Sequence, residues 1–357
     1  MASDIPTLTA DIPTLADAHV AARPALRASA RTGALARPLV PRKPLLDIPA
    51  QIAQLKSRGV TFALCSETEA ADFLANANNY LRTRSYRTLY PRRPDGTYIG
   101  LDFGALKGLS SADRKLRAAL RDISIDVEHF ARVRLLKHVE EHGEDGYVVT
   151  QDYLGSFRSD MRRRIRTSLI NRADQGSDCY DEYAGELIAH NLADMPVWVF
   201  LEVVDFGRFA DFWLFCARRW NDEELLKSHY PLRSVKNLRN ATSHNSCILN
   251  GFSPTASKAN FVVREPIASA MTQAGLKNTK SRRAKMANLR IAQIAETLWA
   301  SHEFCTRKNT RLRHATAAGD VVAVFQSIRP LCPADGSLAS FFDFIGQLVD
   351  IWLPLQP

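Results

Sequence analysis

The sequence predicts a mainly α, multi-helix bundle, and three observations carry that prediction. Between about 106 and 137, Leu109, Leu116, Leu120, Ile123, Val127 and Phe130 recur at spacings of three, four and seven. That period winds them onto one stripe of a helix, with Arg114, Lys115 and Asp122 away from it. Strand-like alternation, by contrast, is scarce: Gly146 to Thr150 (GYVVT) is the single candidate strand. Helix start and stop signals also recur at intervals that suit helices of ordinary length.

Residues 1–42 read as a flexible leader. They are rich in Ala, Pro and Arg, repeat DIPTL at 4–8 and 11–15, and offer too few large apolar side chains to offset the entropy of ordering. The helical pattern starts at Lys43. In the 106–137 helix, Glu128 and Arg132 stand four apart and can pair along its surface. A further helix is expected from Asp194 and Pro196 through Val197, Leu201 and Val204. Gly207 interrupts it, and Phe209, Phe212, Trp213 and Cys216 mark its resumption. Pro231 is read as opening the next helix and Asn250-Gly251 as the turn that closes it. Residues 286–301 and 338–353 again look helical and apolar on one side. The chain is thus divided into a leader (1–42), a helical domain (43–255) and a C-terminal helical extension packed on it (256–357).

An apolar fraction of 46% and a charged fraction of 24% are ordinary for a globular chain. No apolar run approaches the roughly 20 residues of a membrane span, and the N-terminus lacks the charged-then-apolar pattern of an export signal. Six scattered cysteines without a C-x-x-C pair suit reduced thiols in the cytoplasm. His244 and Cys247 are the nearest approach to a metal pair, and no second cluster completes it, so neither metal nor cofactor is expected. The net charge of +9 comes mostly from 35 Arg against 12 Lys. Arginine's planar fork suits phosphate, which makes nucleic acid a natural partner, although GC-rich coding yields the same bias. Two basic clusters, Arg162-Arg163-Arg164 with Arg166 and Lys277 through Lys285, can neutralise phosphates or can simply be solvated.

The chemistry-bearing candidate is R-N-A-T-S-H at 239–244. An imidazole titrating near neutrality can exchange protons with a ribose 2′-hydroxyl or a leaving oxygen. A guanidinium can hold the phosphate and stabilise charge that develops on it. RNA carries its own nucleophile, so no metal is required. As a bare spacing the signal is common: nine His and 35 Arg predict between two and three such pairs by chance, and three occur, at Arg132–His138, Arg239–His244 and Arg307–His314. Helical geometry separates them. With 232–244 helical, Leu232, Val235, Leu238, Ala241 and Thr242 fall on one side and Arg239, Asn240, Ser243 and His244 fan over the other. That fan is a usable half-site or, equally, the wet face of an amphipathic helix.

Five stretches in order then resemble a known family. They are QIAQLKSRG (51–59), NNYLRTRSYRTLY (78–90), DRKLRAALRDISIDVEHFAR (113–132), PVWVFLEVVDFG (196–207) and LRNATSHNSCILN (238–250). Together they resemble the Abi-like proteins of bacterial abortive infection, of the AbiD and AbiF type, within the larger HEPN group of helical proteins. The resemblance implies a HEPN-type bundle with additional N- and C-terminal helices, and Arg239 and His244 as the catalytic pair with Asn240 positioning it. It also implies a homodimer, because two motif copies usually face each other across a two-fold axis. One departure is that Ser243 and Asn245 stand where such proteins often place a second histidine. The resulting expectation is a metal-independent endoribonuclease of anti-phage defence, with Lys236, Arg282 and Arg283 as RNA contacts and an antitoxin RNA or protein as a possible restraint. The rival expectation is a non-catalytic RNA-binding or phage-sensing module.

Overall fold

The computed structural model describes residues 44–253 and 265–355; the expected leader at 1–42 and the stretch 254–264 lie outside the described residues. The protein is a multi-helix bundle: fifteen α-helices form among the described residues, and no strand does. Two isolated bridges, Thr61–Asp102 and Arg92–Tyr98, are the only β-type pairings there. Contacts divide the chain into two compact units, one of residues 46–144 and 204–357, the other built mainly from 145–203. The units are therefore discontinuous in sequence, whereas the reading from sequence alone divides the chain end to end.

The larger unit opens with α1 (Ile48–Ser57), α2 (Glu67–Asp72) and α3 (Tyr80–Thr83) and then enters α4 (Phe103–Glu141). The smaller unit holds α5 (Val148–Gly155), α6 (Ser159–Ala173), α7 (Gly185–Asn191) and α8 (Val197–Val203). The chain returns to the larger unit with α9 (Phe206–Arg219), α10 (Glu223–Ser243), α11 (Glu265–Gln273) and α12 (Lys280–Met286). It ends with α13 (Leu289–Phe304), α14 (Lys308–Ser327) and α15 (Ser337–Trp352).

Helix α4 is the spine of the larger unit. Its 39 residues extend about 58 Å at the α-helical rise, and α10, α13 and α14 all pack on it. Leu109, Leu116, Leu120, Ile123 and Val127 are buried in the stripe that the periodicity predicts, while Phe130 is only half-buried and Ala131, Leu135 and Val139 continue the seam. The Glu128–Arg132 pair forms.

Helix α13 departs from expectation. Instead of one apolar side, it is buried continuously from Ile291 to Ser301, as befits an element enclosed by α4, α10 and α15. Its small polar side chains fit that setting because they are bonded. Thr297 Oγ1 donates to the Gln293 carbonyl at 2.8 Å, and Ser301 Oγ lies 2.8 Å from His314 Nδ1.

Three further expectations are corrected. Gly146–Thr150 is not a strand: Gly146 sits at φ +83° and a Cβ there would meet Trp198 at 2.7 Å. The Asp145 carboxylate accepts the amides of Tyr147 and Val148 and so starts α5. Its β-branched residues suit a strand, but no partner strand exists among the described residues. The break near Gly207 falls instead at Val204–Asp205, where Asp205 caps α9 by accepting the Arg208 amide, and Gly207 lies in that helix's first turn. Pro231 does not open a helix; it lies buried inside α10. The true start is eight residues earlier, where the Asp222 side chain accepts the Leu225 amide and Glu223 and Glu224 complement the helix dipole.

In the smaller unit, Arg172 of α6 donates to the Val203 carbonyl at 2.7 Å and to Asp181 at 2.6 Å. The cluster Arg162, Arg163, Arg164 and Arg166 lies on α6, a helix that buries only Leu169, and all four arginines are exposed.

One buried carboxylate ties the larger unit's sequence-distant parts together. Asp113 of α4 is fully buried. Its Oδ1 accepts the amides of Ile248 and Leu249 at 2.9 and 2.8 Å. Its Oδ2 accepts the Tyr86 hydroxyl at 3.0 Å and an ion pair from Arg117 one turn along. Burial and the Asp113 charge push the Tyr86 phenol well above its ordinary pKa, so it stays a donor. Replacing Asp113 with Ala strands a buried guanidinium and two amides. The expected loss is about 3–5 kcal/mol of stability, read as a fall in the urea unfolding midpoint.

Candidate functional site

Helix α10 presents the candidate motif because its two faces differ in kind. Leu225, Leu232, Val235, Leu238 and Thr242 are buried, while Arg233, Asn237, Asn240 and His244 lie exposed at helical spacing on the other side. Contacts with α4 set an antiparallel register. Asp113 meets Ile248, Glu128 meets Arg239, Arg134 meets Glu224 and His138 meets Asp222.

The helix ends at the motif's histidine for a local reason. His244 is the C-cap, Asn245 adopts φ +56°, and the amides of Asn245 and Ser246 bond back to the carbonyls of Thr242 and Ala241. This is a Schellman turn, and asparagine tolerates the left-handed conformation better than most residues. The chain then drops to the Asp113 carboxylate at Ile248 and Leu249. His244 is thereby fixed at the last turn of α10, with its imidazole exposed and bonded to no side chain among the described residues.

Arg239, five residues earlier on α10, stands half-exposed. Its guanidinium reaches Asn240 Oδ1 at 3.3 Å and Glu128 Oε2 at 3.7 Å. Glu128 is itself paired with Arg132, whose guanidinium also donates to the Val204 carbonyl at 2.9 Å and lies over the Phe209 ring. Glu128 thus links a buttressed arginine to the exposed one. The sequence pairs Glu128 only with Arg132; its contact with Arg239, more than a hundred residues away, leaves no local signal.

The three arginine–histidine spacings differ sharply in the structure. His138 Nδ1 lies 3.1 Å from Asp222, and Arg132 is committed as described. His314 is fully buried between Ser301 and Asp126, its Nε2 2.9 Å from Asp126 Oδ2. That Ser–His–Asp order is the one hydrolases use, but Ser301 and His314 are sealed from substrate. Only Arg239–His244 combines an accessible imidazole with an accessible guanidinium.

The expected RNA contacts divide. Lys236 is half-exposed, one turn before Asn240 on the same face. Within the 277–285 stretch the chain enters α12 at Lys280, and Arg282 points inward. It is 6% exposed and donates to the Ala268 carbonyl and the Thr272 hydroxyl within α11 and to the Leu276 carbonyl just beyond it, tying that helix to the turn that follows. Its position four residues from buried Met286 on one helix face is the signal for an interior role. Arg283 is exposed, and among the described residues its side chain bonds only Asn278. Cys247 is unsuited to nucleophilic work: burial first, then Asp113, push its thiol pKa up to about 11.

A family model described as Abi-like protein matches residues 72–250, half of the chain. No curated protein and no solved structure matches it. The matched span includes Tyr86, Asp113, Ile248 and Leu249, the residues that anchor the end of α10. No helix among the described residues is long and apolar enough to cross a membrane.

Two measurements check these assignments. Asn245→Gly should leave stability near wild type, whereas Asn245→Val should lose about 1–2 kcal/mol because a β-branched residue resists the left-handed turn; urea titration of both variants reads the difference. Burial holds the His314 pKa below the usual histidine value, although Asp126 pulls the other way. As pH falls through about 6.5, the unfolded chain takes up a proton that the folded one refuses. Stability should therefore decline between pH 7.5 and 5.5, and less steeply in His314→Gln.

Proposed function

We propose that this chain, which belongs to the Abi-like protein family, is a metal-independent endoribonuclease whose active site is the Arg239–His244 end of α10. The family ties the chain to abortive infection. The observation that carries the enzymatic reading is the exposed imidazole at a helix end, with a guanidinium five residues away that, among the described residues, is held only by Asn240 and a distant Glu128 oxygen. Those loose partners leave Arg239 able to trade them for a phosphate, with which a bidentate guanidinium contact is stronger.

In the proposed reaction the ribose 2′-oxygen attacks the adjacent phosphorus. An O2′–P bond forms, the P–O5′ bond breaks, and the products are a 2′,3′-cyclic phosphate and a 5′-hydroxyl. The 2′-hydroxyl proton passes to a base, and the departing 5′-oxygen takes a proton from an acid. His244 serves one of these steps, and Arg239 stabilises the phosphorane charge. Asn240 orients the guanidinium, while Lys236 and Arg283 offer charge to flanking phosphates. Two proton transfers and one imidazole per chain favour a homodimer in which a second copy brings its own pair to the same cleft. HEPN nucleases are built in this way, and this chain is assigned to that group on the same reading. Cleaving cellular or phage RNA would arrest translation, so such an enzyme needs a restraint, an antitoxin RNA or protein, until infection.

Purified His244→Ala and Arg239→Ala, each folded by circular dichroism, should cleave RNA on the order of 10²–10⁴-fold more slowly and lose phage protection. RNA from expressing cells should carry 2′,3′-cyclic phosphate ends that depend on both residues. Unchanged cleavage in both variants would refute the site. Weakened RNA binding with no cleavage products in the wild type would favour a binding module instead.

A further inference from the structure

Far from the arginine–histidine site, at the other end of α10, three potential metal ligands converge. His138 and His142 stand one turn apart at the C-terminal end of α4, and Asp222 is the N-cap of α10. His138 Nδ1 lies 3.1 Å from Asp222 Oδ2, His142 Nε2 lies 3.8 Å from the same oxygen, and all three ligand atoms fall within 4.8 Å of one another. We propose that this cluster is a binding site for a divalent transition-metal ion, Zn²⁺ or a close analogue, that clamps α4 to α10.

The geometry favours an ion over a simple hydrogen bond. Zinc–ligand bonds of about 2.0–2.2 Å in a tetrahedron put neighbouring donor atoms about 3.3–3.5 Å apart, and the two distances to Asp222 bracket that value. Histidines four apart on a helix form a natural chelating pair because both rings project from one face. A hydrogen bond from His138 to Asp222 explains one ring. It leaves His142 Nε2 beyond bonding range of the oxygen that it faces.

The surroundings hold the donors in place. The second Asp222 oxygen accepts the Leu225 amide at 3.0 Å, which fixes the carboxylate. The His142 ring stacks on Trp220 with centroids 4.6 Å apart, and Trp220 Nε1 donates to Glu144 at 2.8 Å. Arg219 in turn pairs with Glu144. Such outer partners orient ligand side chains in metal sites. Stacking fixes the His142 ring plane but not which edge turns toward Asp222.

The donor set also selects the ion. Two imidazoles and one carboxylate suit zinc, nickel or copper and disfavour magnesium and calcium, which prefer oxygen. His142 has a 35% exposed side chain, which leaves room for a fourth ligand from water. From Asp222 to His244 the α10 axis runs about 33 Å, so the ion would act on the fold and not on RNA, and the proposal stands apart from the ribonuclease reading.

The test uses the full chain after chelator treatment and dialysis, titrated with Co²⁺ and with Zn²⁺. One equivalent of Co²⁺ should give the visible absorption of a four- or five-coordinate nitrogen–oxygen site, without the near-ultraviolet band of thiolate ligation. One equivalent of Zn²⁺ should displace it and raise the melting midpoint. Two variants keep the local structure: His142→Phe retains the stack on Trp220, and Asp222→Asn retains the helix cap. Each should weaken Co²⁺ binding by more than roughly the 10–100-fold that changes in supporting residues cause and abolish the zinc-dependent rise in melting. A wild-type chain that binds no stoichiometric Co²⁺, a thiolate band, or undiminished binding in both variants would each overturn the site.

Discussion

The larger unit depends on a carboxylate that water cannot reach. Asp113 is buried within α4, and an uncompensated charge there would cost more than most domains have to spare. It is instead surrounded by donors from three separate parts of the chain: Tyr86 before α4, Arg117 within it, and the Ile248 and Leu249 amides beyond α10. Because each donor is buried too, none can be satisfied elsewhere. The segment after His244 is thereby fixed to the spine, and the position of the histidine follows from it.

Helix α10 joins two different kinds of chemistry through one rigid element. At its C-terminal end a Schellman turn halts the helix directly after His244, and Arg239 sits against Glu128. At its N-terminal end Asp222 both caps the helix and faces two histidines. Buried leucines and Val235 between them hold the helix against α4, so the two ends keep a fixed separation and register.

What the sequence discloses is whatever depends on near neighbours. The stripe of α4, the Glu128–Arg132 pair and the two faces of α10 are all periodic, and periodicity is local. Misplaced boundaries share one cause: a residue type taken at its usual meaning. Pro231 usually opens helices, but here Asp222 and two glutamates start α10 sooner. GYVVT carries strand-forming side chains, yet a strand requires a partner that the described residues do not supply. Arg282 reads as surface charge until α11 and the turn after it surround the guanidinium with acceptors. Contacts across long separations, Glu128 with Arg239 and His138 with Asp222, have no local trace at all.

Helix α13 lies in the interior, yet it falls wholly beyond residue 250, where the family match ends. Homology and foldability therefore draw different borders on this chain. A fragment cut to the matched span would leave the flanks of α4 and α10 as bare hydrocarbon with nothing to cover them. The described helices beyond the matched span are not an ornament on it. Helix α13 fills the space against α4 and α10, and it belongs in any minimal form of the protein.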